Sequence, residues 1–287
     1  MPIALVLSGG GSLGAIQVGM LQALYEYGVA PDFIVATSVG AVNGAFIASR
    51  PPTVASADAL GEIWRKIHRG DVFPPNVVSG LLGFLGLRNS FLQSTGLRRL
   101  LERHIEFKRL EDAAIPLHVI GVDVKTGYER RLSAGDAIEA VLASAAIPAV
   151  FPPVRWDDME LIDGGVANNT PISHAIELGA GEIYVLPTGY ACHLHAAPPT
   201  ALGMGLHALT LLIQHRLILE IRALQDRARL VVFPPPCPLD VPPADFSHAS
   251  ELIDRAHRDA LAFLAAAPGG GSAVPPVMRS MDAHNAA

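Results

Sequence analysis

A chain of 287 residues, half of them hydrophobic and 17% charged, can bury a large core and is too apolar to be a disordered polymer. Its 21 basic residues against 27 acidic ones leave a formal net charge of −6, which excludes the basic footprint of a nucleic-acid binder and the polybasic handle of a protein held on anionic lipid. Cys192 and Cys237 stand far apart and outside any CxxC pattern, so the expectation is two reduced thiols, with no disulfide framework and no zinc site.

The opening stretch, MPIALVLSGGG, lacks a basic leader and reaches glycines before a signal-peptide core is complete. No apolar run approaches the ~20 residues of a membrane span, so a soluble, cytoplasmic protein is expected. Residues 2 to 7 predict a buried strand. Ser12 to Tyr27 predict a helix with Leu13, Ile16, Met20, Leu21 and Leu24 along one stripe, ended by Gly28. A strand over 32 to 37 then feeds a second helix that runs to about Ser49 and is stopped by Arg50-Pro51-Pro52. This β-α-β-α opening implies an α/β fold with a mostly parallel sheet covered on both faces.

From Val72 to Gly96 the chain is rich in Gly, Pro and large apolar residues without a clean period, which reads as a loop or a cap of short helices. LHVIGVDVKTGYERRL then predicts two strands around a Lys-Thr-Gly turn, and Asp136 caps a helix through DAIEAVLASAAIP. PVRWDDMELIDGG predicts a second hairpin. EIYVLPTG and RLVVFPPP read as strands on either side of a long helix near 203 to 228, and a last helix spans roughly 248 to 266. One domain over 1 to 267 and a disordered Gly/Pro/Ala-rich tail over 268 to 287 complete the expected layout.

Two stretches carry chemistry. SGGGSLGA holds Gly9-x-Gly11-x-x-Gly14 between a strand and a helix start, which spells a dinucleotide fingerprint; the same exposed N–H groups suit the oxyanion of an acyl-transfer intermediate. The next strand separates the two. A dinucleotide site wants an acid at its end, and this chain has Ala36-Thr37-Ser38; no Gly-Lys-Ser/Thr follows the glycines, so a P-loop is excluded as well. Ala36-Thr37-Ser38-Val39-Gly40 is a near match to G-x-S-x-G, with Ala36 in place of the first glycine, a change that a negative φ accommodates. The pattern presents Ser38 as a nucleophile at the carboxyl edge of the sheet. For a base, Asp163 ends an apolar strand ahead of Gly164 and Gly165, a setting that equally spells an Asp-Gly turn. None of the eleven histidines has a distinctive setting; His118, His174, His207, His215, His248 and His257 read as structural or solvent-facing.

GGGSLGAIQVGML, ATSVGAVNGAF, ASAAIPAVFPPV and LIDGGVANNTP, in that order, resemble the patatin-like phospholipase family over roughly residues 3 to 190. The resemblance implies a three-layer α/β/α patatin-like fold and a Ser-Asp dyad of Ser38 and Asp163 without a catalytic histidine. It implies an oxyanion hole in the loop Gly9, Gly10, Gly11 and Ser12, and support from Ala36, Gly40, Gly164 and Gly165. The implied reaction is hydrolysis of acyl esters of lipids with no metal or cofactor. The implied partners are a lipid or other acyl-ester substrate and, transiently, a membrane surface, with no nucleic acid. Leu13 departs from the family, many of whose members carry Arg or Lys there, which removes a positive charge that would serve an anionic headgroup. Val77 to Leu87 with Phe91 suit an acyl-chain pocket or a lipid-facing surface, and equally an ordinary core or self-association patch. A regulatory or binding role on the same scaffold is the other class of function the sequence leaves open.

Overall fold

The structure, a computed structural model, describes residues 1–73, 89–189, 197, 201–266 and 271–278. At its centre β1 (Ile3–Leu7) pairs in parallel with β2 (Phe33–Thr37) and with β7 (Glu182–Leu186), so that Leu5 lies opposite Ile34 on one side and Tyr184 on the other. β3 (Leu117–Asp123), β4 (Glu129–Leu132), β5 (Val154–Trp156), β6 (Met159–Asp163) and β8 (Arg229–Val232) complete the sheet in the order β5-β6-β3-β2-β1-β7-β8, with β4 paired to β3. β3, β2, β1, β7 and β8 are mutually parallel, whereas β4, β5 and β6 are antiparallel additions.

Continuous apolar strands such as IALVL arise because both faces are covered. Leu5, Leu7, Ile34 and Ala36 point into a core shared with α1 (Gly14–Glu26), α2 (Val39–Ala48), α3 (Val54–Lys66), α4 (Arg69–Val72), α5 (Thr95–His104), α6 (Ala137–Ser144) and α9 (Ala249–Ala266). Ala4, Val6, Phe33 and Val35 point the other way, onto α7 (Ile172–Glu177) and α8 (Ala201–Leu224). These are the three layers expected of the α/β/α fold.

α1 is buried on every side from Gly14 to Tyr25 and not just along its predicted stripe, because α3 and α9 lie over its outer surface. A Cβ at Gly19 would collide with the Ile253 carbonyl oxygen of α9, so the crossing requires glycine there.

One detail of pairing brings the site together. Both β2 and β6 lie on the edge of β3 opposite β4: β2 occupies Leu117 to Ile120 and β6 takes over from Gly121 to Asp123. Thr37 is therefore opposite Ile120 while Asp163 is opposite the next residue, Gly121. The ends of two strands far apart in sequence thus meet head to head.

The structure departs from the sequence reading in several places. No element was expected over 53 to 66 or 95 to 104, where α3 and α5 form; α3 starts on the Thr53 hydroxyl, which accepts from the Ser56 amide at 3.3 Å. The tail expected to be disordered contains an ordered piece: the Val232 amide donates to Ala273 O at 2.8 Å, and Val274 and Met278 are buried. Composition registers the flexible residues of this segment but not the open edge of β8 that they cover. Cys237 is disulfide-bonded, which corrects the expectation of reduced thiols; a CxxC spacing marks only cysteines close together in sequence. Val77 to Leu87 lie outside the described residues, and Phe91 is exposed. Among the described residues, no helix is long and apolar enough to cross a membrane.

Candidate active site

Ser38 sits between the last residue of β2 and the first of α2 with φ 55° and ψ −125°, a left-handed conformation that costs a non-glycine residue on the order of 1 to 3 kcal/mol. Such strain persists only where the surroundings over-determine it. Here the Ser38 amide donates to Ser144 Oγ at 2.8 Å, Ser144 Oγ donates onward to Ile120 O at 2.5 Å, and the Ser38 carbonyl accepts the Ala41 amide at 2.8 Å. Ser144, fully buried at the end of α6, thereby pins the corner to β3. Ala36 lies inside β2 in extended conformation, as its replacement of glycine requires. Gly40 lets α2 rest on the end of β1, where a Cβ would strike the Leu7 carbonyl.

The corner leaves the Ser38 hydroxyl free to donate to Asp163 Oδ2 at 2.6 Å, and both side chains are buried. Asp163 Oδ1 accepts the Gly165 amide at 2.7 Å, so each carboxylate oxygen has one partner and the group has one orientation. Gly164 packs against Ile120 O, which seats the turn on β3. Burial pushes the Asp163 carboxyl up to about 6, against the opposing pull of the hydrogen bonds from Ser38 and Gly165.

The glycine loop lies directly against this pair: a Cβ on Gly9 would sit 2.9 Å from Ser38 Cβ. Its four expected donors are not equivalent. The Gly9 amide donates to Asn169 O at 3.1 Å and the Ser12 amide to Pro243 O at 2.8 Å. The amides of Gly10 and Gly11 have no partner among the described residues. Thr188 Oγ1 donates to Gly9 O at 2.6 Å and fixes the plane of the following peptide.

Ser38 and Gly11 also line a cavity walled by apolar side chains from α2, α3 and α5 and by Phe73, Phe151 and Phe246. Trp64 stacks on Phe246 with ring centroids 6.1 Å apart, and Phe73 stacks on Phe151 at 5.4 Å. His104 is on this wall; burial, then the charges of Arg103 and Arg50, hold its imidazolium below the usual range. Of the histidines singled out from sequence, His118 bonds to Ser133, His174 to Glu129, His248 to Glu251 and His257 to Glu26, while His207 and His215 lie along α8. None of these partners is Ser38 or Asp163.

Sequence reasoning missed Ser144, Asn169 and Thr188. Each acts through a partner more than a hundred positions away, a relation that no local pattern encodes.

The chain is thus an α/β/α protein with a strained strand-to-helix corner at Ser38. It belongs to the patatin-like phospholipase family, whose profile matches residues 5–176, more than half of its length. Patatin-like phospholipase domain-containing protein 7 of Rattus norvegicus is 30% identical over 189 residues, which make up 65% of this chain and 14% of that protein. Lysophospholipase nte1 of Aspergillus terreus is 28% identical over 194 residues, 65% of this chain and 12% of that protein. The chain therefore matches only a small part of the length of these relatives. The crystal structure of VipD from Legionella pneumophila aligns with a TM-score of 0.42 at 12% identity, covering 88% of this chain and 67% of that chain.

Proposed function

We propose that the protein is a serine acyl hydrolase that cleaves carboxylic esters of lipids, with Ser38 as nucleophile and Asp163 as base. The observation that carries this reading is the 2.6 Å hydrogen bond to a buried carboxylate from the hydroxyl of Ser38, a residue that lines an apolar cavity. Asp163 takes the hydroxyl proton as Ser38 Oγ attacks the ester carbonyl. The negative charge that develops on the carbonyl oxygen falls to the amides of Gly10 and Gly11, which have no partner of their own among the described residues. Collapse of this intermediate expels the alcohol, which takes the proton back from Asp163 and leaves an acyl group on Ser38. Water, deprotonated by Asp163, then attacks the acyl carbonyl, the Ser38 Oγ–acyl bond breaks to release the acid, and Ser38 takes its proton back from Asp163. The wall of aromatic and aliphatic side chains suits the hydrocarbon tail, and the names of the relatives, a patatin-like phospholipase and a lysophospholipase, point to the same substrate class. Turnover of p-nitrophenyl butyrate by the wild type and its loss in Ser38→Ala test the reading; equal turnover by both proteins would reject it.

The raised carboxyl sets a pH profile. Asp163 works as a base only when ionised, and burial disfavours the ionised form, so kcat/KM is expected to fall tenfold per pH unit below about 6 and to level off above it. The sign for stability is opposite. A carboxyl whose folded value exceeds its unfolded value of 3.8 binds its proton more tightly in the native state, so its contribution to stability grows as pH falls through about 6 towards 4. A pH–rate curve with its acid limb near 4, or one that follows a histidine substitution, would contradict the assignment.

A further inference from the structure

Two buried amides hold the glycine loop at both its ends. Gln17 Nε2 donates to Ser8 O at 2.9 Å and to Leu186 O at 3.0 Å, which ties the start of the loop to the end of β7. Asn43 Nδ2 donates to Gly14 O at 3.0 Å, where the loop enters α1, and to Gln17 Oε1 at 2.9 Å. Asn43 Oδ1 in turn accepts the Trp64 indole N–H at 2.9 Å. Gln17 and Asn43 have no exposed surface and Trp64 has 4%.

The chain has one self-consistent orientation. An indole nitrogen can only donate, so Asn43 must turn its oxygen to Trp64 and its nitrogen to Gln17 and Gly14; Gln17 must then turn its oxygen to Asn43 and its nitrogen to the two carbonyls. All four amide N–H groups are used. A fully satisfied buried network links what it touches. At one end it touches the loop that carries the Gly10 and Gly11 amides. At the other it touches Trp64, whose ring walls the cavity against Phe246.

We propose that Gln17 and Asn43 are positioning residues for the glycine loop and that Trp64 makes the loop sense whether an acyl chain fills the cavity. The inference rests on the hydrolase reading above and deepens it. A chain packed on the indole confines it to the position in which its N–H meets Asn43, and the two clamps then hold Gly10 and Gly11 on target. Binding energy from the tail is thereby realised in the chemical step, so a longer tail raises kcat and does not merely lower KM.

The test is to measure kcat and KM on p-nitrophenyl butyrate and, below its micellar concentration, p-nitrophenyl laurate. Wild type, Trp64→Phe and Gln17→Leu are compared, each checked for cooperative thermal unfolding. Wild type is expected to turn over laurate roughly tenfold faster at saturation than butyrate. Trp64→Phe keeps an aromatic ring in the wall but loses the N–H donor together with part of the indole's volume; its laurate-to-butyrate ratio of kcat is expected to fall near one while its KM for laurate stays within about twofold. Gln17→Leu releases the loop and is expected to lower kcat on both esters by about 10²-fold, again with the ratio near one. Either variant that folds decides the matter. A wild-type kcat independent of tail length, or variants that keep the wild-type ratio or change KM alone, would overturn this proposal and leave the hydrolase reading standing. Absence of any turnover by wild type would remove both.

Discussion

Ser38→Ala and Asp163→Asn are each expected to lower kcat/KM for a p-nitrophenyl ester by about 10⁴- to 10⁶-fold, and the double variant is expected to be no slower than the worse single one. The non-additivity follows from the geometry. A serine hydroxyl is inert until its proton has somewhere to go, and in the mechanism proposed above Asp163 is where it goes. The hydroxyl and the carboxylate oxygen are 2.6 Å apart and buried, so each is the other's immediate partner. Asp163→Asn is the sharper of the two variants because it keeps size and shape. Its amide can still accept from one neighbour, but it cannot take up a proton, and it presents either an N–H to Ser38 or an N–H to the Gly165 amide, which already donates. A modest loss in Asp163→Asn, or a double variant that loses the sum of both singles, would mean that Ser38 is activated by some other group.

The parts of this site that were legible in the sequence are those written within one stretch of chain. An apolar run, a small residue, a serine and a glycine specify a strand, a corner and a helix start, and Asp163-Gly164-Gly165 specifies a strand end that turns. That these ends meet was not legible, because it depends on β6 taking over the edge of β3 one residue beyond the point where β2 leaves it. The glycine loop was found as a whole and not resolved into its members: which amides remain free is decided by Asn169 and Pro243, more than 150 positions away. The cavity wall follows the same rule. Ala57, Leu60, Gly61 and Trp64 recur at helical spacing and mark a buried stripe on α3, a signal that was present in the sequence, yet nothing local says that the stripe borders Ser38. Gln17 and Asn43 look in sequence like any polar residues in helices; only their complete burial shows that each has to be paired.

Gly40→Ala is expected to damage stability and activity together. The new Cβ would meet Leu7 O, with Leu7 C at 2.6 Å and Ser8 O at 2.7 Å, all of them backbone atoms in the middle of the parallel sheet or at its exit into the glycine loop. No rotamer change relieves such a contact, so α2 has to lift away from β1. Overpacking of this kind costs about 3 kcal/mol or more, which for a chain of this size is a fall in Tm of about 6 °C or more. Activity suffers further, because α2 carries Ser38 at its start and β1 carries the glycine loop at its end; a displacement of about 1 Å between nucleophile and oxyanion donors is enough to lose about 10²-fold in rate. Gly44→Ala, one turn further along the same helix, is the control. Its Cβ would meet only side-chain atoms, at 3.2 Å from Leu117 Cδ1 and 3.4 Å from Ala36 Cβ and Ile34 Cγ2, and the gain in helix propensity of about 1 kcal/mol offsets much of that crowding. Thermal unfolding and ester turnover of the two variants side by side separate a general intolerance of α2 to alanine from the specific contact at Gly40. A Gly40→Ala protein with wild-type Tm and kcat would show that α2 and β1 do not touch as closely as described, and the placement of Ser38 against the glycine loop would fall with that contact.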